Sequence, residues 1–118
     1  MKKALYTTAL LSLLLLAAIS LSARSAEVLD QITINPNPMD KYTVITLSFN
    51  NPASIGVNVE TETGQIVKTL YWGPAENQIS LTWNRIGDDG ICVPSGKYLV
   101  VVNHQGRYTS TKKTLILK

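Results

Sequence analysis

Hydrophobic and polar residues alternate along most of the chain beyond residue 27, as expected for strands with one buried face. The clearest alternation runs from Tyr42 to Asn50, with Ile45, Leu47 and Phe49 on one side. No segment beyond residue 27 has helical periodicity of useful length. The predicted strands are, in chain order, Val28–Ile34, Tyr42–Asn50, Ile55–Glu60, Ile66–Trp72, Ile79–Trp83, Tyr98–Val102 and Tyr108–Leu117. Seven short strands separated by turn signals predict an all-β fold, a β-sandwich of the immunoglobulin or fibronectin type III kind.

The longest interval between predicted strands, residues 84–97, carries two turn signals. Asp88-Asp89-Gly90 predicts a turn in which Gly90 takes positive φ without steric cost. In Pro94-Ser95-Gly96, Pro94 presets φ and Gly96 follows two places later, which predicts a type II turn.

A large aromatic residue stands at each end of this interval. The alternation of its strand places Trp83 on the core face, and Tyr98 stands where sandwich folds have a corner tyrosine. We interpret the interval as a structural corner built on Trp83, Gly90, Pro94, Gly96 and Tyr98. The alternative is a binding loop that presents three charged side chains: Arg85, Asp88 and Asp89.

The first 25 residues predict a cleavable signal peptide. Lys2 and Lys3 precede a leucine-rich apolar run, and small residues follow it. Cleavage is expected after Ser25 or after Ala23, which leaves residues 26–118 as one domain. An uncleaved N-terminal anchor is the rival interpretation, because the run is close to the shortest length that spans a membrane.

The positive charge of the chain belongs to this leader. The whole chain has 11 Lys and Arg against 8 Asp and Glu, and Lys2, Lys3 and Arg24 all precede the first acidic residue, Glu27. The remainder therefore has no net charge, which argues against a nucleic-acid partner or an acidic membrane surface.

Side chains that carry chemistry are few. The only cysteine, Cys92, excludes an internal disulfide and is expected to be a small buried residue, with an intermolecular disulfide as the alternative. The only histidine, His104, lies in a predicted turn, so neither a metal site nor a cofactor is expected. Asn84, Asp88 and Asp89 could hold calcium, but turn formation is the preferred interpretation.

Two further pairs of residues are candidate sites. Glu60 and Glu62 are predicted on one face of the third strand, where they would be solvated rather than catalytic. Tyr71 and Trp72 are predicted either to form a sugar or protein contact patch or to complete the second face of the sandwich. No nucleotide-binding or catalytic motif is present, so no enzymatic activity is expected.

Several motifs resemble bacterial C-terminal immunoglobulin-like modules. They are Asn35-Pro36-Asn37-Pro38, Thr63-Gly64-Gln65-Ile66-Val67, the Trp83-Asn84 loop, and Asp89-Gly90 followed by Val93-Pro94-Ser95-Gly96 and Tyr98. Together they are similar to the domain shared by flagellar hook-capping proteins and type IX secretion sorting modules, over residues 28–118. Asn84-Arg85 departs from the family's usual Asp or Asn followed by Gly, which predicts a different turn after Trp83.

The resemblance implies a non-enzymatic module, exported to the periplasm, the outer cell surface or the medium, that acts by protein contact. Its partner would be a component of the secretion machinery, and the basic-then-apolar end would be the address, with Lys112 and Lys113 as the residues recognised. The alternatives are an assembly or capping subunit of an extracytoplasmic structure and a small carbohydrate-binding module.

Overall fold

The computed structural model describes residues 28–104 and 110–118, and the predicted signal peptide lies outside them. Every regular element in the described part is a β-strand. The strands are β1 (Leu29–Asn35), β2 (Thr43–Phe49), β3 (Ala53–Thr61), β4 (Ile66–Ala75), β5 (Gln78–Trp83), β6 (Gly96–His104) and β7 (Ser110–Leu117). Within these residues no helix is long and apolar enough to cross a bilayer. The prediction of seven strands in an all-β fold is confirmed.

The strands form two antiparallel sheets that share one core. The three-stranded sheet has the order β1-β2-β5, and the four-stranded sheet has the order β4-β3-β6-β7. Buried apolar residues from both sheets make a single cluster between them. Because the cluster draws on all seven strands, neither sheet has a core of its own, and we expect them to fold as one unit.

The two-residue period of the sequence determines which side chains enter this core. Ile45 and Leu47 on β2 are fully buried, and so are the three alternating residues of β3, which are Ile55, Val57 and Val59. On β6, which lies between β3 and β7, consecutive residues Val100, Val101 and Val102 are all buried. That continuous run had predicted a central strand covered on both faces, and the prediction is confirmed.

The fourth strand is longer than predicted. It continues through Gly73 and Pro74, which the sequence had marked as a loop, and reaches Ala75. Proline is tolerated there because β4 is an edge strand, so the missing N–H breaks no pairing on the far side. Gly73 has φ of 147°, which few other residues adopt.

Candidate functional site

The loop between β5 and β6 is held by the guanidinium group of Arg85. Its Nε donates a hydrogen bond to the carbonyl of Val93 at 2.8 Å, and its Nη1 donates to the carbonyl of Asp40 at 2.8 Å. A longer bond of 3.3 Å joins Nη2 to Ser95 Oγ. Arg85 itself has φ of 69°. Arg85, in the turn after Trp83, therefore adopts a left-handed conformation that glycine takes freely.

The two aromatic residues at the ends of the loop are fixed by hydrogen bonds to its backbone. Trp83 is 1% exposed, and its indole Nε1 donates to the carbonyl of Ile86 at 2.9 Å. Tyr98 is also buried, and its hydroxyl donates to the carbonyl of Pro94 at 2.8 Å. Each ring combines core packing with a polar tie to the loop, which is how a buried Trp or Tyr satisfies its polar atom.

The tip of the loop is a turn made by its acidic residues and glycines. Gly90 donates to the carbonyl of Gly87 at 3.0 Å and has φ of 80°. Asp89 Oδ1 accepts a hydrogen bond from the N–H of Ile91 at 3.0 Å. The Asp89 carboxylate is therefore engaged in shaping the turn.

Asp88 covers part of the free edge of β4. Its N–H donates to the carbonyl of Val67 at 3.0 Å, and its carboxylate accepts from the N–H of Thr69 at 3.2 Å to each oxygen. Lys68 Nζ lies 3.6 Å from Asp88 Oδ1. Asp88 replaces a neighbouring strand for two backbone groups, one through its own backbone and one through its carboxylate, and such cover protects an edge from pairing with other chains.

The second turn signal of the loop is not a type II turn. With Pro94 in the second position of such a turn, Ser95 would need positive φ. Arg85 and Asn77 are the non-glycine residues with positive φ in the described part of the chain. Gly96 instead begins β6 with φ of 151°, and a Cβ there would lie 3.6 Å from the Tyr98 ring.

The loop and the tip of the β3–β4 hairpin border an open groove of about 420 Å³. Ile66 and Ile91, 53% and 66% exposed, are among the residues that line it. Cys92 also lines the groove and is exposed, so the prediction of a buried thiol is wrong. Val93 is buried in its place, because its N–H pairs with the carbonyl of Arg85 at 2.9 Å and the chain turns its side chain inward.

Two other sequence expectations need correction. Glu62 lies in the turn after β3, so it does not share a strand face with Glu60. His104 is the last residue of β6 and is half-buried, rather than lying in a turn. Within residues 28–104 and 110–118, no three His, Cys, Asp or Glu residues lie close enough to hold a metal ion.

The edge of β7 is covered along its final residues by the proline segment, residues 36–39. Asn37 Nδ2 donates to the carbonyl of Thr114 at 2.9 Å, and Asn37 Oδ1 accepts from the N–H of Ile116 at 3.0 Å. Met39 donates to the carbonyl of Ile116 at 2.8 Å and accepts from Lys118 at 2.9 Å. Both Asn–Pro peptide bonds at the start of this segment are cis.

The two candidate address lysines lie just before the covered part of β7. Both are exposed, and they stand opposite consecutive β6 residues, so their side chains leave opposite faces of the sheet. Lys113 Nζ reaches the other sheet and donates to the carbonyl of Ile32 at 2.7 Å. Lys112 leaves the outer face, because its partner Val101 is buried outside the core cluster.

The neighbouring aromatic residues of β4 have separate positions. Tyr71 packs against the core, and its hydroxyl donates to the carbonyl of Pro74. Trp72 is 69% exposed on the outer face of the four-stranded sheet. The bulge in β4 near Tyr71 is a feature that the sequence does not reveal, since it shifts the register without any proline or glycine at that point.

The solved structures include a protein with a similar fold. The chain matches no protein-family profile and no curated protein sequence. The crystal structure of dimeric latent PorU from Porphyromonas gingivalis aligns with 73% of this chain, with a TM-score of 0.59 and 19% sequence identity. The structure of PorZ, an essential surface component of the type IX secretion system of the same bacterium, aligns with 75% of it, with a TM-score of 0.47 and 25% identity.

These matches are to small parts of larger proteins. The aligned region covers 9% of the PorU chain and 12% of the PorZ chain. The likeness to PorU shows a shared fold alone, and the superposition on PorZ is too loose to support an argument.

Proposed function

We propose that this chain is an exported, non-enzymatic module of the immunoglobulin or fibronectin type III kind that acts through protein contact, in the manner of a type IX secretion sorting domain. The division into three and four strands and the hydrogen bond from Tyr98 to Pro94 support the fold assignment. The motif resemblance over residues 28–118 supports the sorting role.

The contact function is inferred from the edge of β7, which is covered along only part of its length. Alternate residues of an edge strand direct their backbone N–H and C=O away from the sheet. Ile116 directs both groups to the proline segment, so by the same alternation Lys112 directs its own groups outward. Lys112 lies beyond the last contact of that segment. Within residues 28–104 and 110–118 nothing covers this side of its backbone, which is therefore open to an added strand, and its side chain is exposed beside that backbone.

The proposal separates the duties of the two lysines. Lys113 is engaged with Ile32 and joins the two sheets, which is a structural task. Lys112 stands next to the open edge, and we assign it the recognition. The sequence alone predicts that both lysines are recognised, and the proposal assigns the recognition to Lys112.

The test measures folding and sorting separately for each lysine. Lys112→Ala should change the free energy of unfolding by less than about 0.5 kcal/mol, since its side chain is exposed. Lys113→Ala removes one hydrogen bond and should cost up to about 1 kcal/mol. Under the proposal, the full chain with Lys112→Ala melts like the parent but stays in the periplasm of its host.

The matched control is Lys41→Ala, which removes an exposed lysine ahead of β2 and should affect neither property. Melting temperature and the cell-surface fraction are measured on the same preparations. If Lys112→Ala and the double variant with Lys113→Ala reach the surface as the parent does, the address role of the basic end is wrong.

A further inference from the structure

Trp72 is seated on the outer face of the four-stranded sheet by a glycine. Gly56 lies directly opposite it in the register of β3 and β4. A Cβ built on Gly56 would lie 2.7 Å from Trp72 Cε3 and 2.8 Å from Cζ3. The edge of the indole therefore occupies the space that any other side chain at position 56 would fill.

The backbone conformation does not explain this glycine. The φ angle of Gly56 is not in the positive range that favours glycine. A glycine inside a strand also makes that strand less stable by about 0.5–1 kcal/mol than an alanine would. Glycine in a strand interior often marks the close approach of another group. Here that group is the Trp72 ring, which stays 69% exposed although it is held in place.

The described residues beside the ring on this face are polar and neutral, and Lys112, next to Val101 and two residues from Ser110, is a charged residue of the same face. Asn103 pairs with Gly56 from β6, and Ser54 and Asn58 lie two residues to either side of Gly56 on β3. Residues two apart on a strand share a face and are about 7 Å apart. The next residue across the sheet, Ser110, is also neutral and hydrophilic. Below this rim Val101, diagonal to Gly56, is buried and provides an apolar floor.

We propose that Trp72 and this rim bind a neutral saccharide. The exposed indole would stack on the C–H face of a sugar ring, and the amides of Asn58 and Asn103 would reach its hydroxyl groups. A nucleic acid would require several cations along this face, where Lys112 is the one next to the described rim. A protein hot spot would require close-packed apolar neighbours around the aromatic residue. Ile66, the other large exposed apolar side chain of this strand, lies six residues from Trp72, and the exposed Pro74 lies two residues from Trp72.

The rim reaches β7 at Ser110, two residues from Lys112, but the sugar contacts are assigned to Trp72, Asn58 and Asn103, and this function does not depend on the sorting role. The chain has two tryptophans, and Trp83 is buried, so quenching of fluorescence by acrylamide reports mainly on Trp72. The probes are cellohexaose, maltohexaose and mannohexaose, titrated into the full chain. At least one should shield Trp72 from the quencher and give a saturable heat in calorimetry.

Three variants test the geometry. Trp72→Ala should weaken binding of that probe by about tenfold or more. Gly56→Ala keeps the tryptophan but moves its ring, and it should weaken binding by a similar factor while the melting temperature stays near that of the parent. Ile66→Ala removes an exposed apolar side chain of the same strand and should bind like the parent.

The proposal is overturned if none of the three probes binds at millimolar concentration. It is also overturned if binding survives Trp72→Ala, or if Trp72→Ala abolishes capture of a protein partner and leaves sugar binding intact. Loss of binding in Trp72→Ala and Gly56→Ala, with Ile66→Ala unaffected, supports it.

Discussion

Replacing Arg85 tests whether one side chain holds the loop between β5 and β6. A left-handed φ costs a residue other than glycine about 1–2 kcal/mol. Arg85 adopts φ of 69°, and its guanidinium group makes two hydrogen bonds of 2.8 Å and one of 3.3 Å. Because the side chain is half-buried, water competes for these bonds, and we expect them to contribute about 2–3 kcal/mol together.

Two substitutions separate the side chain from the backbone. Arg85→Ala loses the three bonds and keeps the cost of the left-handed φ, so the free energy of unfolding should fall by about 2–3 kcal/mol. Arg85→Gly loses the same bonds but removes the cost of the left-handed φ. The greater freedom of glycine in the unfolded chain lowers its stability by about 0.4–1 kcal/mol, which offsets part of that gain. Arg85→Gly should therefore be more stable than Arg85→Ala by about 0.5–1 kcal/mol.

The assay is urea denaturation followed by tryptophan fluorescence, since Trp83 reports on the core beside the loop. The midpoints are compared only if the slopes agree, because a changed slope indicates a changed unfolded or native state. The control is Arg85→Lys, which keeps the charge and the φ but cannot reach three acceptors at once. It should fall between Arg85→Ala and the parent. If the free energy of unfolding of Arg85→Ala lies within about 0.5 kcal/mol of the parent's, the Arg85 side chain does not hold the loop. If Arg85→Ala is as stable as Arg85→Gly, the argument from the left-handed φ is wrong.

Three further outcomes are expected. Trp83→Ala should lower the free energy of unfolding by about 3–5 kcal/mol, because it leaves a cavity in the core and the carbonyl of Ile86 without its donor; a denaturation curve that overlays the parent would contradict this. Cys92→Ser should change stability by less than about 0.5 kcal/mol, since the thiol is exposed, and a disulfide dimer on non-reducing gels, lost with function in this variant, would show that the thiol is needed. Asp88→Ala should lower the stability measured in thermal melts by about 1 kcal/mol, because the N–H of Thr69 loses its acceptor. Calorimetry with calcium on the parent should show no saturable heat. A one-site isotherm would count against a turn-forming role for this carboxylate.

The strands could be predicted from the sequence because each has a local signal. Ile45, Leu47 and Phe49 alternate with less hydrophobic or polar neighbours, and a period of two allows one face to be buried. The continuous apolar run of β6 likewise identified a strand in the middle of its sheet. Such patterns need no knowledge of the neighbouring elements.

The loop was harder to predict because its side chains are oriented by distant partners. Nothing local distinguishes Cys92 from Val93, and the choice between them follows from the pairing of Val93 with Arg85. The sequence predicts that Asp88 is a turn residue, but its role at the edge of β4 depends on a contact with Thr69, 19 positions away. The position of Trp72 depends on a glycine in another strand, which the sequence alone does not pair with it.

The contact between the proline segment and the end of β7 also constrains the order in which the chain can fold. Asn37 meets Thr114 and Ile116 across 77 and 79 positions, and closing a loop of that length costs about 4 kcal/mol of chain entropy. Met39, fully buried in the finished domain, has its pairing partner Leu117 at the far end of the chain. When the chain emerges N-terminus first, from a ribosome or through a membrane, we expect Met39 to stay uncovered until β7 has emerged. A chaperone that binds apolar segments would therefore find its target here only before the final strand docks.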